Sequence, residues 1–471
     1  MLGRIFKAYD VRGTYPDLLN DTMGWQIGYG TSKLLRQEAR EDGDATPMMR
    51  NFIVGRDMRQ SSPSLSKALI DGITYEGGDV IDVGMVDTPF IYFAINYVDC
   101  AGGVMVTASH NPPKYNGFKI SRRKAKPVGE ANGLAEVRKH AAMIDPAVAS
   151  QQTAKGRVSE RDLWSAYIRH VRSFLNMDGA KLRVVVDASN AMAGTMVPRV
   201  FGAKGKDVSG LEIIELNFDN TSGTFAHEPN PLVPANLEQL REMVVQEKAD
   251  LGICFDGDAD RCMVVDEKGQ IVGCDLLTAL VARQFLKANP KSPIVYDLRS
   301  SKAVSEEITI AGGKPVRSRV GHVFMKGELA KQKAVFGGEL SGHFYFRDNF
   351  NADSGAIAMA TVLTVLAQSG KSMSELIEPI ARYAQSGEIN FRNEDPDAAL
   401  AQIEEAYIDR ALVDDLDGLT IDAFEEEGWW FNVRKSNTEP LLRLNAEAKT
   451  MSALRTLLDE VTPLLGEQVD H

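Results

Sequence analysis

Three aspartates stand at alternate positions in one short stretch, Asp256, Asp258 and Asp260 of DGDADR, directly after the apolar run LGICF. Carboxylates packed this closely repel one another unless a cation sits among them. Hard divalent ions take oxygen ligands, and Mg2+ fills its remaining positions with water or a phosphate oxygen. An EF-hand is the competing pattern, since Glu267 falls at its twelfth position, but the sixth position needs glycine and here it is Arg261. A solvated acidic turn is the plain alternative, and such turns rarely follow a buried strand so directly. The spacing predicts a Mg2+ site.

A second loop, TASHNPPKYNGFK (residues 107–119), follows the apolar run AGGVMV. Ser109 beside His110 suggests a nucleophile and its base. Side chains at neighbouring positions diverge in extended chain, and no G-x-S-x-G elbow surrounds the serine. A serine carrying a phosphoryl group would instead supply an anionic metal ligand and a ready phosphoryl donor. Taken alone, Ser109 and Asn111 also read as turn-formers ahead of Pro112. Two further loops narrow the choice. GGELSGH (337–343) offers Glu339, Ser341 and His343, groups suited to the vicinal hydroxyls of a sugar. RKSNTEP (434–440) offers Arg434, Ser436, Asn437 and Thr438, donors suited to a phosphate. Each alone would pass as an ordinary turn.

The elements that must position these loops repeat. Strand-like runs alternate with helix-length amphipathic stretches in three blocks: NFIVGRD, GGDVIDVGMVDTP and AGGVMVTASHNP; then LRVVVDASNAMAG, LEIIELN and ADLGICFDGDADR; then SPIVYDLRSS, GGKPVRSRVGH and KAVFGGELSGH. Each block reads strand, helix, strand, helix, strand, and its third strand runs into a polar loop, where α/β sheets bind ligands. After about residue 385 the pattern changes: PDAALAQIEEAYIDRALVDDLDG reads as helix, LTIDAF and WWFNVRKSNTEPLLRLNAEA as strands, and TMSALRTLLDEVTPLL as a closing helix. The polar stretch RYAQSGEINFRNEDPD reads as the connector. The fold class expected is α/β, three similar α/β domains with mixed, largely parallel sheets plus a smaller C-terminal α+β domain. The expected bounds are 1–155, 156–268, 269–383 and 384–471.

A net charge of −12 leaves no broad basic face for nucleic acid, although a local arginine cluster can still hold an anionic substrate. Cys100, Cys254, Cys262 and Cys274 lack CxxC spacing and read as buried thiols of a reducing compartment. No apolar run approaches a membrane span, and the charged N-terminus is unlike a signal peptide. A cytoplasmic protein, monomer or homodimer, acting on a small molecule is expected.

Together and in this order, the four loops resemble the motifs of the α-D-phosphohexomutase family: T-A-S-H-N-P, D-G-D-x-D-R, G-E-x-S-G and R-x-S-N-T-x-P. The resemblance extends along essentially the whole chain. It implies that Ser109 is the phosphoserine and, with Asp256, Asp258 and Asp260, a Mg2+ ligand, and that Arg261 bridges phosphoserine and sugar hydroxyl. Lys119 matches a family lysine placed as general base, and His110 positions the loop. Tyr9 and Arg12 lie in FKAYDVRG, similar to the family's N-terminal active-site segment, with Arg12 on the reacting phosphoryl group. Glu339 and Ser341 would bind sugar hydroxyls, with His322 and His343 as further proton-transfer or substrate contacts. Arg299 stands where relatives often carry lysine. Arg434, Ser436, Asn437 and Thr438, aided by Arg443, would hold the distal phosphate.

The resemblance implies reversible movement of phosphate between O1 and O6 of a hexose, through a hexose 1,6-bisphosphate that turns end for end, with a hinged fourth domain closing on substrate. GELSGH and FKAYDVRG look most like the phosphomannomutase/phosphoglucomutase branch, whereas the phosphoglucosamine branch commonly has glutamine where Leu340 stands. A Mg2+-dependent phosphatase and a non-catalytic sugar-phosphate binder are the rival readings. For Lys119 to act as base, neighbouring cations would have to lower its pKa.

Overall fold

The valine- and isoleucine-rich runs become strands because each is short, β-branched and ended by polar or glycine residues. The computed structural model describes residues 2–41, 46–145, 147, 155–436 and 441–469. The chain divides into two compact units, Met1–Val272 with Ser341–Ser374, and Gly273–Leu340 with Glu375–His471.

The first unit holds two mixed sheets. Strands β1 (Val11–Thr14), β2 (Asn51–Arg56), β3 (Asp79–Met85), β4 (Gly102–Val106), β5 (Tyr115–Arg122), β6 (Lys126–Pro127) and β7 (Val158–Glu160) form one, ordered β1-β5-β4-β2-β3-β7 with β6 on β5. Its centre is parallel, β2 running with β3 and β4, and β5 is antiparallel to both β4 and β1. Strands β8 (Leu182–Asp187), β9 (Leu211–Leu216), β10 (Leu251–Phe255), β11 (Cys262–Asp266) and β12 (Ile271–Val272) form the other, ordered β12-β11-β10-β8-β9. Here β8 runs parallel to β9 and β10, and β11 returns antiparallel.

In the second unit β13 (Pro293–Asp297) lies between β14 (Lys314–Ser318) and β15 (Phe336–Gly338), all parallel. A hairpin of β16 (Phe344–Phe346) and β17 (Ala352–Asp353) belongs to the first unit. The three parallel centres, β3-β2-β4, β9-β8-β10 and β14-β13-β15, share one order, with the first strand in the middle. The loop after each third strand therefore leaves from beside the central strand's carboxyl end, where open α/β sheets bind ligands. The repeat read from sequence is thus a repeat of topology.

The last domain is an antiparallel sheet of β18 (Ala384–Arg392), β19 (Leu412–Asp414), β20 (Leu419–Ala423), β21 (Trp429–Lys435), β22 (Leu441–Ala448) and β23 (Glu467–Val469), ordered β19-β20-β21-β22-β18-β23. Helices Pro396–Tyr407 and Met451–Val461 supply Ile403, Tyr407 and Leu457 to a core with Phe391, Phe431, Val433 and Leu444. That alternation puts Asn432 and Arg434 on the opposite face. Two expectations need correction. The helix beginning at Pro396 ends at Tyr407, and Leu412–Asp414 pairs with β20 as a strand, because its buried face stops at Tyr407. The polar connector contains β18, a strand paired on both sides, whose Phe391 enters the core while Glu388 and Asn390 serve other contacts.

Candidate active site

The first unit brings Ser109 and the three aspartates together. Ser109 follows β4 with its backbone in the left-handed region (φ 50°), and its Oγ donates to Asp256 Oδ2 at 2.8 Å. Its N–H is bound by Thr107 Oγ1 at 2.9 Å. Gly257 admits this approach, since a Cβ there would lie 2.3 Å from the Ser109 carbonyl oxygen. Asp256, Asp258 and Asp260 are buried after β10, and their carboxylates offer ligand atoms within 4.8 Å of one another. Burial, then Asp260 and Asp258, push the Asp256 carboxyl well above the carboxylate range. Asp260 goes the other way: burial opposes its charge, but Lys119 and His343 hold it well below that range. Oδ1 of Asp258, buried, has no hydrogen-bond partner among the described residues. An all-oxygen trio with an oxygen left over fits a hard divalent cation.

Basic side chains from neighbouring strands and loops surround the trio. Lys119, on β5, donates to Asp258 Oδ2 at 2.7 Å and Asp260 Oδ2 at 2.6 Å. Arg12, on β1 beside β5, pairs with Asp10 and reaches Asn111 Oδ1 at 2.5 Å. Arg261 Nε lies 3.8 Å from Asp256 Oδ2. His343 Nε2 is 3.3 Å from Asp260 Oδ1, and its Nδ1 is 2.9 Å from Ser341 Oγ. Tyr9 is half-buried just before β1.

Two expectations change here. Ser109 and His110 do not diverge: the left-handed turn at Ser109 breaks the extended chain and sets Oγ 3.3 Å from His110 Nδ1. Burial, then Arg261, Arg12 and Lys119, keep that imidazole uncharged, its pKa well below the histidine range. For Lys119 the expected lowering is reversed. Burial works against its charge, but Asp258, Asp260 and Asp256 outweigh it, and the protein groups raise its pKa.

The second unit carries the other group. Arg299, after β13, forks onto Asp297 with contacts of 2.9 and 3.2 Å. Arg299, Arg434 and Arg443 converge on Glu388 at 3.1 to 3.4 Å. Glu339 is buried, its Oε1 accepting the Gly321 N–H at 2.8 Å next to His322, which opens helix His322–Gln332. Ser436 donates its N–H to the Leu441 carbonyl at 2.8 Å. Asn437 and Thr438 lie outside the described residues. Of the GELSGH loop, Ser341 and His343 belong with the metal loop's unit and Glu339 with the arginines'.

Sequence reasoning passed over Arg59, from GRDMRQ after β2. It is 1 % exposed, and all five of its N–H groups are used. Nη2 donates to the carbonyls of Ser109 (2.8 Å) and Asn111 (2.7 Å), Nη1 to those of Pro112 (2.7 Å) and Tyr115 (3.1 Å), and Nε to Asp57 (3.0 Å). The Phe225 ring lies 4.9 Å from its guanidinium carbon. Arg59 thus holds the backbone of the serine loop in its strained form. Arg59→Lys, with three donors in no fork, is expected to lower kcat between about tenfold and a hundredfold, as small misplacements at reacting atoms do. Steady-state kinetics would show it, with KM little changed; an intact kcat would remove the positioning role. Thr88 was also missed: its Oγ1 donates to Asp258 Oδ2 at 2.5 Å. Both act through chain-distant contacts that spacing does not encode.

A buried serine bonded to one of three clustered carboxylates, at the carboxyl ends of parallel strands, defines an α/β enzyme with an acidic centre. Four descriptions of one family match the chain in order: phosphoglucomutase/phosphomannomutase alpha/beta/alpha domain I over residues 3–146, domain II over 165–269, domain III over 274–383 and the C-terminal domain over 388–464. A phosphomannomutase of Salmonella montevideo is 37% identical over 449 residues, 94% of each chain. A protein of Xanthomonas campestris pv. campestris described as "phosphohexose mutases" is 37% identical over 465 residues, 98% of each. A solved structure of a phosphoglucomutase/phosphomannomutase family protein from Burkholderia thailandensis matches with a TM-score of 0.85 at 30% identity, over 98% of this chain and 96% of that one. The chain belongs to the phosphoglucomutase/phosphomannomutase family. It is an isomerase that works by phosphoryl transfer, a hexose-phosphate mutase.

Proposed function

We propose that the enzyme interconverts the 1- and 6-phosphates of mannose and glucose through a phosphorylated Ser109 and a hexose 1,6-bisphosphate. The observation that carries this reading is the Ser109 hydroxyl, 2.8 Å from Asp256 within a carboxylate trio and ringed by Lys119, Arg12 and Arg261. Asp256, Asp258 and Asp260 would hold Mg2+, with Ser109 as fourth ligand. When bound, the ion neutralises charge on phosphoryl oxygens.

In the forward half-reaction the bond from phosphorus to Ser109 Oγ breaks as one forms to the free sugar hydroxyl. The hydroxyl proton passes to His322 or His343 as base; Lys119, held protonated by Asp258 and Asp260, would join them only if a bound cation drew those carboxylates away from it. Arg12 and Arg261 stabilise the charge on the moving group. The bisphosphate then reorients and returns its other phosphate to Ser109, so atoms balance over the cycle. Glu339 and Ser341 are assigned to sugar hydroxyls. Arg434, Arg443, Ser436, Asn437 and Thr438 are assigned to the distal phosphate, with Arg299 beside them.

Preference for mannose and glucose is supported by Leu340, which brings no hydrogen-bonding group to an amino sugar, and by the relatives named phosphomannomutase. No helix among the described residues is long and apolar enough to cross a membrane. The four buried free thiols suit a reducing cytoplasm, where we place the enzyme as monomer or homodimer. A coupled assay with mannose, glucose and glucosamine 1-phosphates, Mg2+ and a bisphosphate activator is expected to show turnover of the first two. Turnover of glucosamine 1-phosphate alone would overturn the sugar assignment, and turnover of none the mutase reading.

A further inference from the structure

We propose that Glu388 is a built-in counter-ion: it occupies the arginine cluster in place of the substrate's distal phosphate and keeps the hold on that phosphate weak enough to release. This rests on the reading of Arg434 and Arg443 as the phosphate grip.

The local sequence aims Glu388 there. Relative to β22, β18 carries an extra residue between Gln385 and Glu388, and Gly387 takes a left-handed φ of 68°. Such a bulge redirects the side chains that follow. Beyond it Glu388 lies opposite Asn445 and Asn390 opposite Arg443, so Glu388 is the diagonal neighbour of Arg443. Arg434 and Arg443 face each other directly across β21 and β22. Like charges so placed repel and call for an anion.

Glu388 meets that need only in part. Its Oε1 accepts from Arg443 Nη1 at 3.1 Å, while Oε2 is shared by Arg299 Nη1 at 3.3 Å and Arg434 Nη2 at 3.4 Å. These are long contacts for charge-assisted bonds. Asp297 takes the rest of the Arg299 fork. The three guanidiniums contact Asp297 and Glu388 directly, while Glu339 acts on Arg299 and Asp417 on Arg434 from farther away. Buried Nε atoms of Arg434 and Arg443 have no hydrogen-bond partner among the described residues. A carboxylate has two oxygens for this fan of donors, and a phosphate monoester has three. An arriving dianion thus meets a cluster one charge less positive than it would be without Glu388. A mutase whose bisphosphate must let go and turn round gains from the weaker hold.

Glu388→Gln keeps the shape and removes the charge. Titration calorimetry with inorganic phosphate and steady-state kinetics are expected to show Kd and KM lower by about tenfold, with kcat reduced. Its thermal midpoint should rise on adding phosphate by more than that of the unaltered enzyme. Unchanged or weaker phosphate binding in the folded variant overturns the proposal. Should glutamine prevent folding, Glu388→Asp draws the charge back by one methylene, and a smaller tightening is expected on the same readouts. Arg443→Ala separates the two layers. If it leaves phosphate binding intact, the grip itself is misassigned; if it weakens binding while Glu388→Gln fails to tighten it, only the counter-ion role falls.

Discussion

Ser109→Ala is expected to lower mutase turnover at least about a thousandfold, because on the proposed mechanism the group that carries phosphate in both half-reactions is gone and binding alone cannot replace it. The fold should survive. Only the bond from Oγ to Asp256 and the long contact to His110 are lost, while the loop backbone keeps its four bonds to Arg59. Alanine must adopt the left-handed φ of 50°, which costs a side-chain-bearing residue on the order of 1 kcal/mol. A coupled assay together with a thermal scan checks both. Retention of more than a few per cent of the turnover by a folded variant would remove Ser109 from the reaction.

The second large effect is expected at the carboxylates. Asp258 is wholly buried, accepts from Lys119 and Thr88 through Oδ2, and leaves Oδ1 without a partner among the described residues. Asp258→Asn places an amide where the proposed Mg2+ site needs a ligand oxygen. Substitutions one shell further out cost metal sites about 10–100-fold in affinity or activity, so a ligand itself should cost no less. Mg2+ titration of activity would show the apparent affinity falling by at least about tenfold. The thermal midpoint without added metal should not fall, since one of three mutually repelling carboxylates has been neutralised. Unaltered Mg2+ dependence would take Asp258 out of the metal site. A midpoint lowered in step with activity would make its role structural.

The candidate site was legible in the sequence where its residues followed buried strands. The runs GGVMV and LGICF fold as β4 and β10, and the loops after them meet at Ser109 and Asp256. The alternation of aspartates was enough to infer a cation site, and the ordered loops were enough to resemble the family that the matched domains show. What escaped was set by backbone conformation or by distant packing. The left-handed φ at Ser109, which brings His110 back to its neighbour, is carried by a serine and not by a glycine that would advertise it. Arg59 reads as one more polar residue after a strand, and its role appears only when β2 and β4 lie side by side. Lys119 was marked by resemblance alone; its ion pairs need β5, the neighbour of β4, placed beside the aspartate loop. In the last domain, β18 was hidden because the face that bears Glu388 and Asn390 meets arginines and asparagines across β22, so a central strand reads as a polar connector.

The central claim, that Ser109 carries the phosphate that moves, is tested most directly by a labelling chase. The enzyme, with Mg2+, is exposed to hexose 1,6-bisphosphate bearing radioactive phosphate, digested, and the label mapped; a second portion is chased with unlabelled hexose phosphate. The account predicts label on the peptide containing Ser109, lost on the chase and recovered in hexose phosphates. Label on another residue, no label at all, or release chiefly as inorganic phosphate would contradict it.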